Sequence, residues 1–197
     1  MKLTELLLTL NRLKNIPRSG WFFCNIFTAD VENVAQHSFE VAVITMFLAD
    51  ELKREGKKVN RERAISMAIL HDWAESMVAD FPYTARKYLK PAEAKKQMEH
   101  NALLDLLNNL PKKGEYLKQW EEYMEGKTVE SKLVHAADFL SIMIQGVKYR
   151  QRGVKSRGLN ELWRAVKDDL KPYAKEFKIV GELVNELNSA FTSPSGF

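Results

Sequence analysis

In the stretch ILHDWAE, His71, Asp72 and Glu75 stand directly behind the apolar run Ala68, Ile69 and Leu70. Two further polar residues interrupt apolar stripes elsewhere. His37 is in phase with Val41, Ile44 and Leu48, and Asp138 lies four residues after Val134 and four before Ile142. An ionised carboxylate inside a protein is costly unless it is paired or binds metal, and two of them in one core repel unless a cation sits between them. Two imidazole nitrogens and two carboxylate oxygens from three predicted helices can enclose a divalent ion. That donor mix suits Mn, Co, Fe, Ni, Mg or Zn. Any one of the four alone would more often be a hydrogen-bonded core histidine or a paired aspartate; their joint inward placement on separate helices points to a metal centre. Glu75, four residues after His71 and three after Asp72, projects toward the same space on a helix. A carboxylate there can take a proton from water or give one to a leaving oxygen.

The rest of the chain has to hold these groups. Its 197 residues suffice for one sizeable core, and 45% hydrophobic with 28% charged residues is ordinary for a globular protein. Nine glycines and six prolines are few breakers, and no strand-like alternation of any length appears. The fold class is therefore all-α, one domain over 1–190 with the chemistry-bearing motifs at 18–138, followed by a frayed tail at 191–197. Periodicity predicts helices near 2–14, 33–54, 61–77, 91–109, 115–125, 128–151, 159–170 and 172–189, with a short one after Pro82. Leu3, Leu6, Leu7, Leu10 and Leu13 give the first an apolar stripe. Asn60 caps the third, with Arg63 where a capping-box glutamate would stand, and Pro91 suits the first turn of the fourth.

Net charge is +4, mildly basic, which suits a phosphate-bearing ligand without demanding nucleic acid. A single cysteine, Cys24, excludes an intrachain disulfide and a Cys-rich zinc site and fits a reducing cytoplasm. Glu5 interrupts the greasy N-terminus, so a signal peptide is not expected, and no stretch is long enough to span a bilayer.

With ENVAQHS, AILHDWAES followed by ADFP, and VHAAD, the chain resembles the HD-domain metal-dependent phosphohydrolases, and within them the YfbR-like 5'-deoxynucleotidases. The loop LKNIPRSGW, the glutamate three residues after the HD pair and the D-x-P pattern carry the subgroup likeness, over roughly residues 5–150. The resemblance implies a helical HD-domain fold and phosphate release from (deoxy)nucleoside 5'-monophosphates. It implies His37, His71, Asp72 and Asp138 as metal ligands, Glu75 with Asp72 as the catalytic acids, and Arg18 on the substrate phosphate. Trp21, Asp80, Phe81, Pro82 and Tyr83 would contact the nucleoside, with Glu75 and Asp80 as holders of a further cation. Ser19 and Gly20 separate Trp21 from Arg18, and Tyr83 stands where a threonine is expected. Relatives are commonly dimers, so a homodimer or higher homo-oligomer is expected.

Other enzymatic readings keep the metal site and change the substrate to a cyclic or pyrophosphate-bearing nucleotide. A non-catalytic reading makes Lys148, Arg150, Arg152, Lys155 and Arg157 an RNA-binding loop, although such a run is more often solvated. Phe22 and Phe23 are expected to plug the core between the first two helices, and Cys24 to pack as a small apolar residue.

Overall fold

Helix-capping chemistry sets where the long elements begin. The computed structural model describes residues 2–27, 29, 31–89, 93–108 and 110–193, with only the backbone of Arg86 and Lys87. The described elements are α1 (Leu3–Leu10), α2 (Val34–Arg54), α3 (Arg61–Leu70), α4 (Glu75–Val78), α5 (Ala94–Leu106), α6 (Lys113–Glu125), α7 (Val129–Gln151), α8 (Arg157–Glu176) and α9 (Lys178–Thr192). Three 3-10 turns, Asn11–Asn15, Ser19–Cys24 and Tyr83–Tyr88, join them. Among the described residues the extended pairing is one isolated bridge, Pro17 with Asn33.

Asn33 caps α2 reciprocally: its side chain accepts from Gln36 N–H at 2.9 Å, and Gln36 Oε1 accepts from Asn33 N–H at 2.8 Å. Thr128 Oγ1 caps α7 by accepting from Ser131 N–H at 3.2 Å. Asn60 caps α3 through Arg63 N–H, and its own N–H donates to Glu130 Oε1 of α7 at 2.7 Å. A distant glutamate thus fills the place that Arg63 leaves open in the local box.

α2, α3 and α7 pack on one another at the centre, and α8 and α9 cover α7. The main core joins Val41, Leu48 and Leu52 of α2, Met67 and Ala68 of α3, and Leu133, Ala137, Leu140 and Met143 of α7. Burying one such side chain is worth about 1.5–3 kcal/mol against leaving it in water. Leu6, Leu70, Leu103, Leu106 and Trp120 form a second, smaller cluster between α1, α5 and α6.

The structure departs from the expected elements in five places. The third predicted helix is broken: α3 ends at Leu70, and α4 starts at Glu75 after a tight turn. The turn is made of i→i+3 bonds (Trp73 N–H to Leu70 O, Glu75 N–H to Asp72 O, Ser76 N–H to Trp73 O), and three residues per turn stack Glu75 over Asp72. α8 runs through Pro172 to Glu176, and the chain breaks at Phe177 instead. Phe177 is extended and buried, so a core side chain, not the proline, marks the boundary. In α1 only Leu6 of the stripe is buried, with Leu3 and Leu7 about 60% exposed (61% and 59%). Phe22 and Phe23 are exposed, and Trp21 is the buried plug. The expected tail is helical through Thr192, with Phe191 stacked on Trp163 at 3.8 Å. Pro91 and the last four residues lie outside the described residues.

Glu40, one turn past His37 on α2, is half-buried, and its Oε2 has no hydrogen-bond partner among the described residues. Burial and the Glu32 charge push its carboxyl up to about 7, against the pull of Lys148. A carboxyl raised on folding contributes stability below its unfolded value, near 4.5, and that contribution is lost as pH rises toward 7. Glu40→Gln should therefore stabilise the protein at pH 8 by about 1 kcal/mol after allowing for solvent screening, or roughly 2–4 °C in Tm, and change little near pH 4.5. Thermal melts at the two pH values check this.

Candidate metal centre

The four residues that break apolar stripes meet at the seam of α2, the α3–α4 turn and α7. His37 is fully buried and His71 nearly so. His37 Nε2 is 3.1 Å from Asp138 Oδ1 and 3.7 Å from Asp72 Oδ2, and His71 Nε2 is 3.1 Å from Asp72 Oδ2. His37, His71 and Asp72 each offer a ligand atom within 4.8 Å of the others. A divalent ion with bonds of roughly 2.0–2.2 Å spans donors about 4 Å apart, so the 3.1 and 3.7 Å separations fit one coordination sphere.

Each imidazole is held from its far side, and for His71 the partner is a carbonyl that fixes the tautomer. His71 Nδ1 donates to Ala68 O at 2.6 Å, and His37 Nδ1 meets Ser141 Oγ at 2.8 Å. With Nδ1 carrying the proton, each Nε2 turns a lone pair toward the seam. Among the described residues His37 Nε2, His71 Nε2, Asp138 Oδ1 and Glu75 Oε2 are buried and lack an aligned hydrogen-bond partner. Buried polar atoms are normally satisfied, and one cation satisfies the two imidazole nitrogens and the Asp138 oxygen at once. The residues therefore fit a divalent metal.

Electrostatics agree with this. Burial pushes Asp72 up, but His71, Arg18 and His37 outweigh it and hold the carboxyl well below the usual range. Asp138 behaves alike: burial opposes, and His37, His71 and Arg18 win. Burial lowers His71, and Asp72 and Asp138 bring it above its ordinary value. Glu75 goes the other way. Burial, then Asp72 and Asp80, raise its carboxyl well above normal, against Arg18 and Lys95. The two acids stacked in the turn are thus pushed in opposite directions, Asp72 toward its ionised form and Glu75 toward its protonated one.

Arg18 lies among four carboxylates, 2.8 Å from Asp80, 3.5 Å from Asp72, 3.8 Å from Glu75 and 4.0 Å from Asp138. Asp80 also accepts from Ser19 N–H at 2.7 Å and Ser19 Oγ–H at 2.5 Å. Its carboxylate anchors the Arg18–Ser19 loop. The turn at Ser19–Cys24 carries Trp21 inward, where Nε1 donates to Glu32 Oε1 at 2.8 Å and the ring meets Tyr149 edge-on at 5.0 Å. Trp21, Phe81, Pro82 and Tyr83 line the same cavity of about 400 Å³ as Arg18, His71, Asp72, Glu75, Asp80 and Asp138. All the residues expected at the site except buried His37 border that cavity, and His37 reaches it through its contacts with Asp72 and Asp138.

Ser141, Ser19 and Glu32 escaped the sequence reading. Ser141 stands three residues after Asp138 on one face of α7, and that i,i+3 spacing was the signal available for it. His135 stacks on Tyr123 at 4.3 Å and bonds its carbonyl at 2.8 Å, and His100 lies beside Trp120. Cys24 is buried, as expected.

The HD domain family model matches residues 10–178. The 5'-deoxynucleotidase HDDC2 of Xenopus laevis is 29% identical over 190 residues, 95% of this chain and 89% of that one. The 5'-deoxynucleotidase HDDC2 of Dictyostelium discoideum is 33% identical over 148 residues, 72% and 74% of the two chains. The solved structure of a conserved hypothetical protein from Pyrococcus furiosus is similar with TM-score 0.75 at 37% identity, covering 91% of this chain and 98% of that one.

If Ser141 sets the His37 tautomer, Ser141→Ala should weaken metal binding about ten- to a hundredfold. Calorimetric titration of the metal-free protein with manganese checks it.

Proposed function

The chain belongs to the HD domain family, and we propose that it is a divalent-metal-dependent 5'-nucleotidase that releases phosphate from (deoxy)nucleoside 5'-monophosphates. The observation that carries this reading is the meeting of two histidines, two aspartates and Arg18 at one cavity. Relatives named 5'-deoxynucleotidase over most of the chain support it.

His37 and His71 through Nε2, with Asp72 and Asp138, would hold the ion, which would supply Lewis acidity toward phosphoryl oxygen and water. Manganese, cobalt, magnesium, nickel, iron and zinc all suit the donor set. Arg18 is placed to give two parallel hydrogen bonds to phosphate oxygens, with Asp80 holding the loop behind it. Asp72, favoured in its ionised form, would serve as a ligand, and Glu75, pushed toward its protonated form by burial, would deliver a proton to O5' as the P–O5' bond breaks and a water oxygen bonds to phosphorus. Trp21, Phe81, Pro82 and Tyr83 offer apolar wall to the nucleoside.

The basic stretch does not favour the RNA-binding alternative. Arg150 bonds Val154 O and Asn160 and lies over the Phe191 ring, and Arg157 pairs with Glu161 at 2.6 Å. No described helix is long and apolar enough to cross a membrane, and we take the cytoplasm as the compartment. We also take the chain to form a homodimer or larger homo-oligomer. Support comes from an apolar groove between α2, α7 and α9, lined by Phe47, Ile144, Leu183 and Leu187.

Manganese-loaded protein should release phosphate from deoxynucleoside monophosphates, and a chelator should stop it. Glu75→Gln should lose about a hundred- to ten-thousandfold in kcat and keep its bound metal, measured by elemental analysis. Loss of metal along with activity would instead make Glu75 a ligand. Sedimentation at several concentrations tests the oligomer: a monomeric mass throughout would end that idea.

A further inference from the structure

α5 lies outside the seam that carries the metal ligands, yet its first turns reach the cavity through Lys95, Lys96 and Glu99. Lys96 is exposed. The Lys95 side chain is mostly buried, with Nζ 2.9 Å from the buried carboxylate of Glu99. Removing an ammonium from water is expensive, and a lone surface-type ion pair does not require it. Burial lowers the Lys95 pKa, but Glu99, Glu75 and Asp72 outweigh it, so the side chain stays charged and feels the acids of the centre.

An ammonium has three donors. Glu99 takes one, and among the described residues Lys95 has no other hydrogen bond or ion pair. Lys95 itself lines the cavity, within reach of which its ammonium keeps two donors to give. Arg18, by contrast, is already shared among four carboxylates. A phosphate dianion entering beside those acids brings two more negative charges, which one shared guanidinium balances poorly.

We propose that Lys95 is a second cationic contact for the substrate phosphate, acting with Arg18 and held in place by Glu99. This rests on the phosphomonoesterase reading and deepens it: two cations beside the metal centre fit a phosphomonoester dianion better than a monoanionic diester. Glu99 is a positioning residue that fixes the ammonium through one of its three protons.

The test uses manganese-loaded full-length protein and inorganic phosphate as the probe, followed by calorimetry, alongside kcat and KM on a deoxynucleoside monophosphate. Lys95→Met leaves Glu99 buried without a partner, so Lys95→Met combined with Glu99→Gln is the controlling variant. Both should bind phosphate roughly ten- to a hundredfold more weakly, as expected for a lost charge-assisted hydrogen bond. Both should lose kcat/KM to a similar degree and keep wild-type metal content, and Lys95→Arg should restore most of the affinity. Phosphate affinity in the double variant within twofold of wild type would overturn the proposal. So would a loss in Lys95→Met that the double variant repairs together with the melting temperature, which would make Lys95 structural. Should the wild type hydrolyse no nucleotide, the nucleotidase reading falls, and phosphate binding still decides Lys95.

Discussion

Four carboxylates surround one guanidinium where α2, the α3–α4 turn and α7 meet, and a buried cluster of that sign needs more positive charge than Arg18 supplies. The rings of His37 and His71 are held by Ser141 and by the Ala68 carbonyl so that both Nε2 atoms face the acids. Much of the local structure follows from that demand. The i→i+3 turn after Leu70 stacks Glu75 directly over Asp72, two residues that a regular α-helix would turn about 60° apart. The opposed shifts of Asp72 and Glu75 follow too: one lies against cations, and the other lies in a drier place beside two acids.

The loop carrying Arg18 and Trp21 depends on elements far away in the chain. Arg18 N–H donates to Glu32 O at 2.9 Å, and Val34 N–H to Ile16 O at 2.9 Å, so the loop's two strands clasp each other before α2. Tyr149 Oη accepts a hydrogen bond from Glu32 N–H at 3.1 Å. At the start of α8, Ser156 Oγ–H donates to Cys24 O at 2.6 Å and caps its own helix through Leu159 N–H. Gly158 lies so close to the Phe23 carbonyl that any Cβ there would clash with it. The segment after Gly153, poor in recognisable motifs, therefore braces the Arg18 loop from behind.

Groups that break a local pattern were legible from the residues alone. His37 and Asp138 stood out because each interrupts an apolar stripe of helical period, and the cap at Asn60 followed from side-chain chemistry within three residues. The broken third helix was not legible, because i→i+3 and i→i+4 bonding share nearly the same apolar spacing over one turn. Pro172 misled for a related reason. Proline costs a helix one hydrogen bond, and packing of Leu170, Phe177 and Val180 into the core offsets that loss. Trp21 and its two phenylalanine neighbours are alike in composition, and the glutamate eleven residues on decides which one goes inside. The partners Ser141 and Lys95 are ordinary helix residues until the fold brings the centre to them.

The most direct measurement is a crystal structure of the manganese-loaded protein with anomalous scattering recorded at the manganese edge. The account requires one strong anomalous peak within about 2.5 Å of His37 Nε2, His71 Nε2 and one carboxylate oxygen each of Asp72 and Asp138. No peak between those four groups, or a peak held by other residues while these stay apart, would contradict it.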